Sequence, residues 1–326
     1  MSGWSILEGD ALLRLRGLAA ESVQCCVTSP PYWGMRDYGV ECQLGLERTP
    51  QEYIEKMVSV FREVRRVLRS DGTLWLNMGD SYAAGGNGGH HKNETFHGHN
   101  DRDGDMTGRR KIAPAGLKPK DLVMMPARLA LALQSDGWYL RQDIIWSKPN
   151  PMPESVRDRC TKAHEYLFLL SRSERYFYSF DAMQEQVTGG AHARGNGVNP
   201  KAGKWKTPDG MRPRQNESFS AAVNELVDSR NRRSVWTIPT EACPEAHFAT
   251  FPTALVEPCI LAGSREGDMV LDPFSGSGTT GLVALRYGRR YLGIELNPGY
   301  VEMSRRRILA DNPLFNQEKA TGSEKG

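Results

Sequence analysis

The sequence has no apolar run of the roughly 18 to 20 residues that a membrane span needs. Its first ten residues, MSGWSILEGD, also lack a basic stretch followed by an apolar core. We therefore expect a cytoplasmic protein that does not enter a membrane. The 326 residues are 39% hydrophobic and 25% charged, and this composition is typical of a globular protein rather than a disordered or fibrous one. A net charge of only +3 excludes a histone-like polycation but permits a local basic surface.

Cysteine is scarce, and its spacing does not suggest a metal site. The six cysteines lack paired metal-type spacing, so we interpret them as reduced thiols: Cys25, Cys26, Cys42, Cys160, Cys243 and Cys259. Histidines cluster only in GGNGGHHKNETFHGHN (85–100), which lacks the periodic framework that would hold ligands. We expect no metal, and we interpret residues 83–118 as a long loop.

The periodicity of apolar residues predicts an α/β fold. Between Pro50 and Arg69, apolar residues recur at the three-and-four spacing of an amphipathic helix, which Asp71-Gly72 is expected to end. The other predicted helices are 11–17, 121–135, 253–262, 279–287 and 298–309, and the predicted strands are 4–7, 23–27, 73–78, 139–146, 165–170, 269–271 and 290–294. The alternation of strand and helix in the last third predicts a doubly wound, mostly parallel sheet.

A change of composition predicts an insertion. Across 186–233, Lys and Arg outnumber Asp and Glu, and Trp205 and Phe219 are interleaved with them. This pattern fits either a basic surface for nucleic acid or a solvated insertion. The predicted organisation is a first half of the main domain at 1–185, an insertion at 186–235, a second half at 236–312 and a flexible tail at 313–326.

The stretch DPFSGSGTTG, Asp272 to Gly281, lies between a predicted strand and a predicted helix. Its glycines let a ligand approach the backbone, and the helix N-terminus offers unpaired N–H groups. Glu295, at the end of the next strand, can accept both hydroxyls of a ribose. The loop lacks the lysine of a P-loop, which argues against nucleoside triphosphates, and Asp272 favours a ligand with positive charge. S-adenosylmethionine, with an ammonium, a sulfonium and a ribose, fits these features.

The stretch TSPPYW, Thr28 to Trp33, follows a predicted strand. Ser29 and Pro30 each precede a proline and are therefore held extended, and Pro30 and Pro31 have no N–H to donate. This diproline corner, Ser29 to Tyr32, therefore presents mainly hydrogen-bond acceptors. The Ser29 hydroxyl and the Pro30 carbonyl can hold the two N–H groups of an exocyclic amine while its lone pair points at a methyl donor. Taken alone, the motif would also fit a proline-rich turn.

Together the two stretches resemble the DNA amino-methyltransferase family, which methylates the exocyclic amine of cytosine or adenine. Further similar segments are Gly9-Asp10, Gly72 to Asn77, Ile145 to Pro151, His164 to Tyr166 and His247 to Pro252. The order of the motifs, catalytic before cofactor, resembles the circularly permuted β class. The resemblance implies a Rossmann-like methyltransferase fold, S-adenosyl-L-methionine as cofactor and double-stranded DNA as partner. It also implies restriction–modification, with a cognate restriction endonuclease as a further partner, and a monomer or homodimer.

The resemblance also implies roles for individual residues. The catalytic set is Ser29, Pro30, Pro31 and Tyr32, with Tyr32 as the platform on which a flipped base stacks. The cofactor set is Asp10, Thr28, Phe251, Asp272, Pro273, Phe274, Ser275, Gly276, Ser277, Gly278, Thr279, Thr280, Glu295 and Asn297. Asp10 would hold the adenine or cap the helix that begins at Ala11. The DNA-binding set is Trp33, Lys148, Asn150, Arg157, Lys204, Lys206, Arg212, Arg214, Arg232 and Arg233; Trp33 would support the Tyr32 ring or line the pocket.

Serine at the head of the motif resembles the enzymes that methylate N4 of cytosine, whereas aspartate there is typical of those that methylate N6 of adenine. N4 of cytosine is therefore the expected target and N6 of adenine the alternative. Carbon-5 methylation would need an exposed Cys259 thiolate, and a zinc deaminase would need HxE and PCxxC motifs that the sequence lacks. A DNA-binding protein with an inactive pocket, or a methyltransferase for RNA or a protein amide, remains an alternative.

Overall fold

The computed structural model describes residues 3–83, 116–186, 229–241 and 251–311. It divides the chain into a main unit, Met1–Ser179 with Ser234–Gly326, and a second unit, Phe180–Arg233. Within the described residues no helix is long and apolar enough to cross a membrane. The predicted residues Lys204, Lys206, Arg212 and Arg214 and the histidine cluster lie outside the described residues.

Most elements lie where the periodicity predicts them. The strands are β1 (Trp4–Glu8), β2 (Val23–Thr28), β3 (Leu68–Met78), β4 (Tyr139–Ser147), β5 (His164–Ser171), β6 (Gln184–Gln186), β7 (Ser229–Asn231), β8 (Val235–Thr237), β9 (Met269–Asp272) and β10 (Arg290–Glu295). The helices are α1 (Ala11–Arg16), α2 (Pro50–Val67), α3 (Met125–Ser135), α4 (Thr253–Gly263), α5 (Thr279–Arg286) and α6 (Pro298–Asp311).

Eight strands of the main unit form one sheet in the order β1-β10-β9-β2-β3-β5-β4-β8. All neighbouring pairs are parallel except those of β5, which runs antiparallel to both β3 and β4. The α/β fold with a mostly parallel sheet is therefore confirmed.

Helix α2 forms for the reasons that its sequence suggests. The Thr49 hydroxyl accepts a 3.2 Å hydrogen bond from the Glu52 amide, and Pro50 occupies the first turn, where a missing N–H costs nothing. Its apolar stripe packs against the core, and Tyr53 and Phe61 in this stripe are completely buried.

The predicted end of α2 at Asp71-Gly72 is wrong. The helix ends at Val67, and β3 begins at the next residue, Leu68, which pairs with Val23. The pairing between the two strands then shifts, because Cys25 faces Thr73 across the ladder. Asp71-Gly72 therefore lies in a β-bulge rather than a turn, and this bulge lengthens β3. Helix α3 likewise begins at Met125 rather than near Asp121.

The topology brings the ends of several strands to one edge of the sheet. Because β2, β9 and β10 are parallel, their last residues, Thr28, Asp272 and Glu295, lie at the same edge. Strand β5 runs in the opposite direction, so its first residues, His164 and Glu165, also lie there. This carboxyl edge is where the polar side chains of the main unit converge.

The second unit includes an antiparallel pair, β6 and β7, in which Gln184 faces Asn231. Arg230 and Arg233 both donate to the Glu185 carboxylate, at 2.8 and 3.1 Å. The structural boundaries of this unit, Phe180 and Arg233, lie close to the predicted insertion at 186–235.

Candidate active site

A cavity of about 950 Å³ opens at the carboxyl edge of the main unit. Residues of the diproline corner, Ser29 to Tyr32, line one part of it. The glycine-rich loop, Pro273 to Ser277, lines another, together with Glu295 at the end of β10. The two motifs that the sequence separates by more than two hundred residues therefore face one space.

A buried hydrogen bond joins the two motifs. The Thr28 hydroxyl donates to Oδ1 of Asp272 at 2.6 Å, and both residues are almost completely buried. Asp272 also accepts from the Phe274 amide at 3.0 Å and from the Thr280 hydroxyl at 2.9 Å. Burial raises the pKa of Asp272 from 3.8 to about 6, although these three donors favour its charged form.

These contacts change the expectation for Asp272. It was expected to face a ligand with positive charge, but its carboxylate lies behind the loop and does not line the cavity. Its hydrogen bonds instead hold the start of the glycine-rich loop against the end of β2. Thr28, Gly278 and Thr280, also predicted to bind the cofactor, lie behind the cavity wall as well.

The other residues of the predicted cofactor set line the cavity. They are Asp10, Phe251, Pro273, Phe274, Ser275, Gly276, Ser277, Thr279, Glu295 and Asn297. Asp10 also caps α1, since its Oδ1 accepts from the Leu13 amide at 2.8 Å. The two roles considered for this side chain are therefore compatible, because capping occupies only one of its oxygens.

The glycines of the loop have two different functions. Gly276 adopts a φ of +51°, and a Cβ built on it would meet only the Phe274 carbonyl oxygen, at 3.8 Å, so its backbone is open to a ligand. Gly281 makes room for the protein itself, because its Cβ would lie 2.5 Å from the Tyr291 ring. The close approach to a ligand that the sequence suggests for the whole loop thus applies to Gly276.

Glu295 is held in a fixed orientation. Its Oε2 accepts from the Gly276 amide at 2.7 Å and its Oε1 from the Asn297 amide at 2.8 Å. Burial raises the pKa of this carboxyl above its usual value. Each oxygen keeps a lone pair after these contacts, so the group can accept two further hydrogen bonds from a ligand in the cavity.

Two aromatic residues that the sequence analysis missed complete this part of the cavity. Tyr38 and Tyr300 line it, with ring centroids 6.3 Å apart in an edge-to-face arrangement. Burial raises the pKa of Tyr38 and raises that of Tyr300 to about 12, so both phenols stay neutral at physiological pH. Tyr38 lies in a loop without periodic pattern, and no local signal would have pointed to it.

The core of the protein supports the diproline corner from behind. The Tyr53 hydroxyl of α2 donates to the Pro31 carbonyl at 2.8 Å. Among the described residues nothing donates to the Pro30 carbonyl, and Pro30 lines the cavity. The Pro31 carbonyl is thus fixed by the protein, and the Pro30 carbonyl is left to accept a hydrogen bond from a ligand.

The prediction that Trp33 contacts DNA is wrong. The side chain is only 2% exposed, belongs to the hydrophobic core and does not line the cavity. Its Nε1 donates to the Glu47 carbonyl at 2.9 Å. The chain turns after Pro31 so that Tyr32 faces the cavity and Trp33 faces the core, and Trp33 therefore anchors the corner.

The Tyr32 hydroxyl lies at the centre of a hydrogen-bond network. It donates to Oε2 of Glu165 at 2.7 Å and accepts from Nδ2 of Asn77 at 2.9 Å and from the Ser29 hydroxyl at 3.2 Å. Burial, with Glu165 nearby, raises the pKa of Tyr32 well above 10. Asn77 and Glu165 lie in segments that resemble the family, but their sequence positions alone did not predict a role for either residue.

The three predicted DNA contacts between β4 and β5 differ in position. Lys148 and Asn150 line the cavity, whereas Arg157 is exposed and does not. The Lys148 ammonium pairs with Oε1 of Glu165 and lies 4.2 Å from the centroid of the Trp146 ring. The Asn150 side chain accepts from the Thr240 amide at 3.0 Å.

Cys259 is poorly placed to be a nucleophile. It lies inside α4, is completely buried, and its Sγ donates to the Leu255 carbonyl at 3.2 Å. It does not line the cavity. The arrangement therefore argues against covalent attack by this thiol on a substrate bound there.

These features fit an enzyme that transfers a methyl group to an amine, and comparison with known proteins identifies the family. A family model of the N6 and N4 methyltransferases, described as DNA methylase, matches residues 23–306. The chain belongs to this family and is a DNA methyltransferase. The family depends on S-adenosylmethionine, which confirms the predicted cofactor.

The relatives cover nearly the whole chain. The type II methyltransferase M.SmaI of Serratia marcescens is 47% identical over 305 residues, which are 93% of this chain and 90% of that protein. M.Cfr9I of Citrobacter freundii, also a type II methyltransferase, is 44% identical over 312 residues, 96% of this chain and 90% of that protein.

Solved structures show the same fold. A putative DNA modification methylase from Thermus thermophilus, complexed with S-adenosyl-L-methionine, is 25% identical with a TM-score of 0.56, and the match covers 94% of each chain. The PvuII DNA methyltransferase, which is cytosine-N4-specific, has a TM-score of 0.60 at 19% identity over 97% of this chain and 96% of that one.

Proposed function

We propose that the protein transfers a methyl group from S-adenosylmethionine to the exocyclic N4 amine of cytosine in double-stranded DNA, by flipping the base and transferring the methyl directly. The observation that supports this most is the single cavity lined by both Ser29 to Tyr32 and Glu295, with Thr28 bonded to Asp272 behind it. In sequence order the catalytic motif comes first, and we assign the protein to the permuted β class.

The residues present fit the cofactor. The lone pairs that remain on the Glu295 carboxylate can accept the ribose hydroxyls, and the Gly276 backbone allows close approach. Tyr38, Tyr300 and Phe251 provide aromatic walls for an adenine. Asp10 keeps one carboxylate oxygen that can accept from the amine of the adenine, because only its Oδ1 caps α1. When bound, S-adenosylmethionine supplies an electrophilic methyl group on a sulfonium.

The diproline corner is suited to hold an amine. The Ser29 oxygen and the Pro30 carbonyl both accept hydrogen bonds, so together they can bind the two N–H groups of an exocyclic NH2. Holding both groups orients the nitrogen lone pair away from the corner. No covalent enzyme intermediate is required, in agreement with the burial of Cys259.

Tyr32 provides a surface for the flipped base. Stacking of a base on an aromatic ring contributes roughly 1 to 3 kcal/mol, which is comparable with the few kcal/mol that unstacking from a duplex costs. The ring is held from behind by Gly79, where an added Cβ would lie 2.6 Å from Tyr32 Cε2. A fixed ring loses little entropy when the base binds.

We assign cytosine rather than adenine because serine heads the SPPY motif, as in the cytosine-amine enzymes that the sequence resembles. For the duplex, we assign phosphate or base contacts to Lys148 and Asn150, which line the cavity, and to Arg157, which is exposed between β4 and β5. Sequence recognition is assigned to the insertion, with contacts from Lys204, Lys206, Arg212, Arg214, Arg232 and Arg233. A cognate restriction endonuclease would cleave the same sequence when it is unmethylated.

The test is to incubate the protein with plasmid DNA and S-adenosylmethionine labelled in its methyl group, digest the DNA to nucleosides and identify the labelled one. N4-methylcytosine is expected. N6-methyladenine would overturn the base assignment, and 5-methylcytosine would overturn the amine chemistry. DNA binding without any labelled nucleoside would indicate an inactive pocket. A Ser29→Ala, Tyr32→Ala double variant is the matched control and should give no label.

A further inference from the structure

Direct transfer to an amine leaves one problem that the diproline corner alone does not solve. When the new N–C bond forms, the nitrogen still holds both of its protons and becomes cationic, so one N–H bond must break. The Ser29 hydroxyl is within the corner but is a poor base when it acts alone. A chain of groups that ends in a carboxylate would remove the proton without requiring a charged serine.

The network around Tyr32 has a fixed direction. An ionised carboxylate only accepts hydrogen bonds, so the single Tyr32 proton must point to Oε2 of Glu165, 2.7 Å away. The Tyr32 oxygen therefore accepts from Ser29, at 3.2 Å, and from Nδ2 of Asn77, at 2.9 Å. The only proton on the Ser29 hydroxyl is thereby directed to Tyr32. Nδ2 of Asn77 also donates to Ser29 Oγ, at the longer distance of 3.4 Å, and the second lone pair of this oxygen is left to accept from a ligand in the cavity.

The geometry points to a proton path from the substrate amine through Ser29 and Tyr32 to Glu165, with Glu165 as the positioning residue that accepts the proton at its end. The proton leaves the amine nitrogen for Ser29 Oγ, the Ser29 proton moves to Tyr32 Oη, and the Tyr32 proton moves to Glu165. One N–H bond breaks and one O–H bond forms on the carboxylate. Ser29 and Tyr32 end neutral, and this inference rests on the proposed function.

The surroundings of Glu165 support this role. Lys148 from β4 pairs with its other oxygen, Oε1, and Asn77 from β3 donates to Oε2 at 3.0 Å. Glu165 lines the cavity, so a proton that it has accepted can return to solvent. The raised pKa of Tyr32 means that its hydroxyl stays neutral and passes a proton on rather than holding a charge.

Lys162 and His164 are further titratable groups near Glu165, and the buried carboxylate of Asp80 lies 3.9 Å from the Lys162 ammonium. Burial lowers the pKa of Lys162 and that of His164 from their usual values of 10.5 and 6.5. His164 is therefore mostly neutral in assays above pH 6.5.

Two variants interrupt the path at different points, Tyr32→Phe and Glu165→Gln. The first keeps the stacking ring and the pair between Glu165 and Lys148, and the second keeps the shape of the side chain. Matched controls come from a second tyrosine–glutamate hydrogen bond, between Tyr287 and Glu257, which does not line the cavity. Tyr287→Phe and Glu257→Gln remove the same chemical groups outside the site.

The experiment measures the rate of methylation in a single turnover, with DNA and S-adenosylmethionine saturating, after the modified site has been mapped with the wild type. We expect both path variants to be slower by on the order of 10², the usual size of a general-base contribution, while affinities for DNA and cofactor and the rates of both controls stay unchanged. The wild-type rate should fall toward acid pH, and this fall should be smaller in Glu165→Gln, in which Asp272 and Glu295 still titrate.

An unchanged rate in both path variants would overturn the path. A slower Glu165→Gln enzyme that keeps the wild-type pH profile would also overturn it, because Glu165 would then be only structural. Should Glu165→Gln fail to fold by circular dichroism, Tyr32→Phe decides the question through its rate. If the wild type produces no N4-methylcytosine at all, the proposed function fails instead, so the two failures are distinguishable.

Discussion

The Thr28 hydroxyl, at the end of β2, donates a 2.6 Å hydrogen bond to the Asp272 carboxylate, at the end of β9. The two strands are neighbours in the sheet: Cys26, two residues before Thr28, pairs with Leu271, one residue before Asp272. This contact fixes the diproline corner relative to the glycine-rich loop. The distance between the proposed site of the amine and the proposed site of the methyl donor should therefore depend on a buried hydrogen bond that lines neither site.

Thr28→Val should destabilise the protein by about 1 to 3 kcal/mol, because it leaves a buried carboxylate without one of its donors at nearly constant side-chain volume. Urea unfolding measures the change. Thr28→Ser keeps the hydroxyl and should lose less stability than Thr28→Val. Equal losses in the two variants would show that the methyl group of Thr28, and not the hydrogen bond, matters.

Asp272→Asn should change how stability depends on pH. The folded pKa of about 6 lies above the usual 3.8, so the ionised carboxylate costs stability above pH 6, and this cost decreases as the pH falls through 6 toward 3.8. A difference of about two pKa units corresponds to about 3 kcal/mol at high pH. Asparagine does not titrate, so relative to wild type the variant should gain roughly 1 to 2 kcal/mol between pH 5 and pH 8.

Urea unfolding of both proteins at pH 5 and pH 8 measures this difference. Burial also raises the pKa of Glu295, with the same sign, but that group is present in both proteins and cancels in the comparison. An identical pH dependence in wild type and Asp272→Asn would contradict the raised pKa of Asp272.

Glu295→Gln should weaken the binding of S-adenosylmethionine about tenfold to a hundredfold, the range expected for a lost hydrogen bond to a charged group. In the wild type, the Glu295 carboxylate accepts hydrogen bonds from the backbone amides of Gly276 and Asn297. The side-chain NH2 of glutamine would instead place a donor against one of these two N–H groups. Isothermal titration calorimetry measures the affinity. Glu302→Gln, on the exposed side of α6, serves as the control and should bind as the wild type does.

Gly79→Ala should slow methylation with little loss of secondary structure. The new Cβ would lie 2.6 Å from Cε2 of Tyr32, so the ring must move from the position in which it reaches Glu165. Overpacking of this kind typically costs about 1 to 3 kcal/mol, and single-turnover methylation reports the displaced ring. The control is Gly17→Ala, whose new Cβ would lie 3.4 Å from the Arg14 carbonyl oxygen, an ordinary contact distance. Equal rates of methylation by the wild type and Gly79→Ala would mean that the displaced Tyr32 ring still functions.

Cys259→Ser should leave the rate of methylation within about twofold of wild type, because a buried thiol outside the cavity has no part in direct transfer to an amine. The serine hydroxyl can keep the hydrogen bond to the Leu255 carbonyl. The same plasmid assay measures the rate. Complete loss of activity in a folded variant would restore carbon-5 methylation as the reaction.

Much of the fold could be predicted because apolar periodicity and capping residues act locally. The helix from Pro50 and the strands that end at Thr28 and Asp272 follow from patterns within each segment. The direction of β5 could not be predicted, since alternation of apolar residues is the same in both directions. That direction brings Glu165 to the site, 133 residues from Tyr32 in the chain.

The parts of the candidate site that belong to recognisable motifs could be predicted from the sequence. The direction of an individual side chain could not, because it depends on packing. The glycine-rich loop and the diproline corner face one cavity, as the resemblance implies. Trp33 is adjacent to Tyr32 yet points into the core. The sequence does not show this direction, since the turn after Pro31 depends on packing in the folded chain. The position of Asp272 in its motif likewise suggests contact with a ligand. In the structure its carboxylate is buried and accepts hydrogen bonds from Thr28 and Thr280 instead.

The two segments of the main unit that flank the second unit in sequence are each held by a backbone hydrogen bond within the main unit. The Ser179 amide donates to the Ala262 carbonyl at 2.9 Å, and the Ser234 carbonyl accepts from the Ile145 amide at 2.8 Å, so both junctions are tied to the methyltransferase framework. Neither hydrogen bond involves a residue of the second unit, so the part of the chain that lines the cavity is held independently of the segment between the two junctions. If the insertion reads the target sequence, as we propose, a new specificity would require no change in the residues that carry out the transfer.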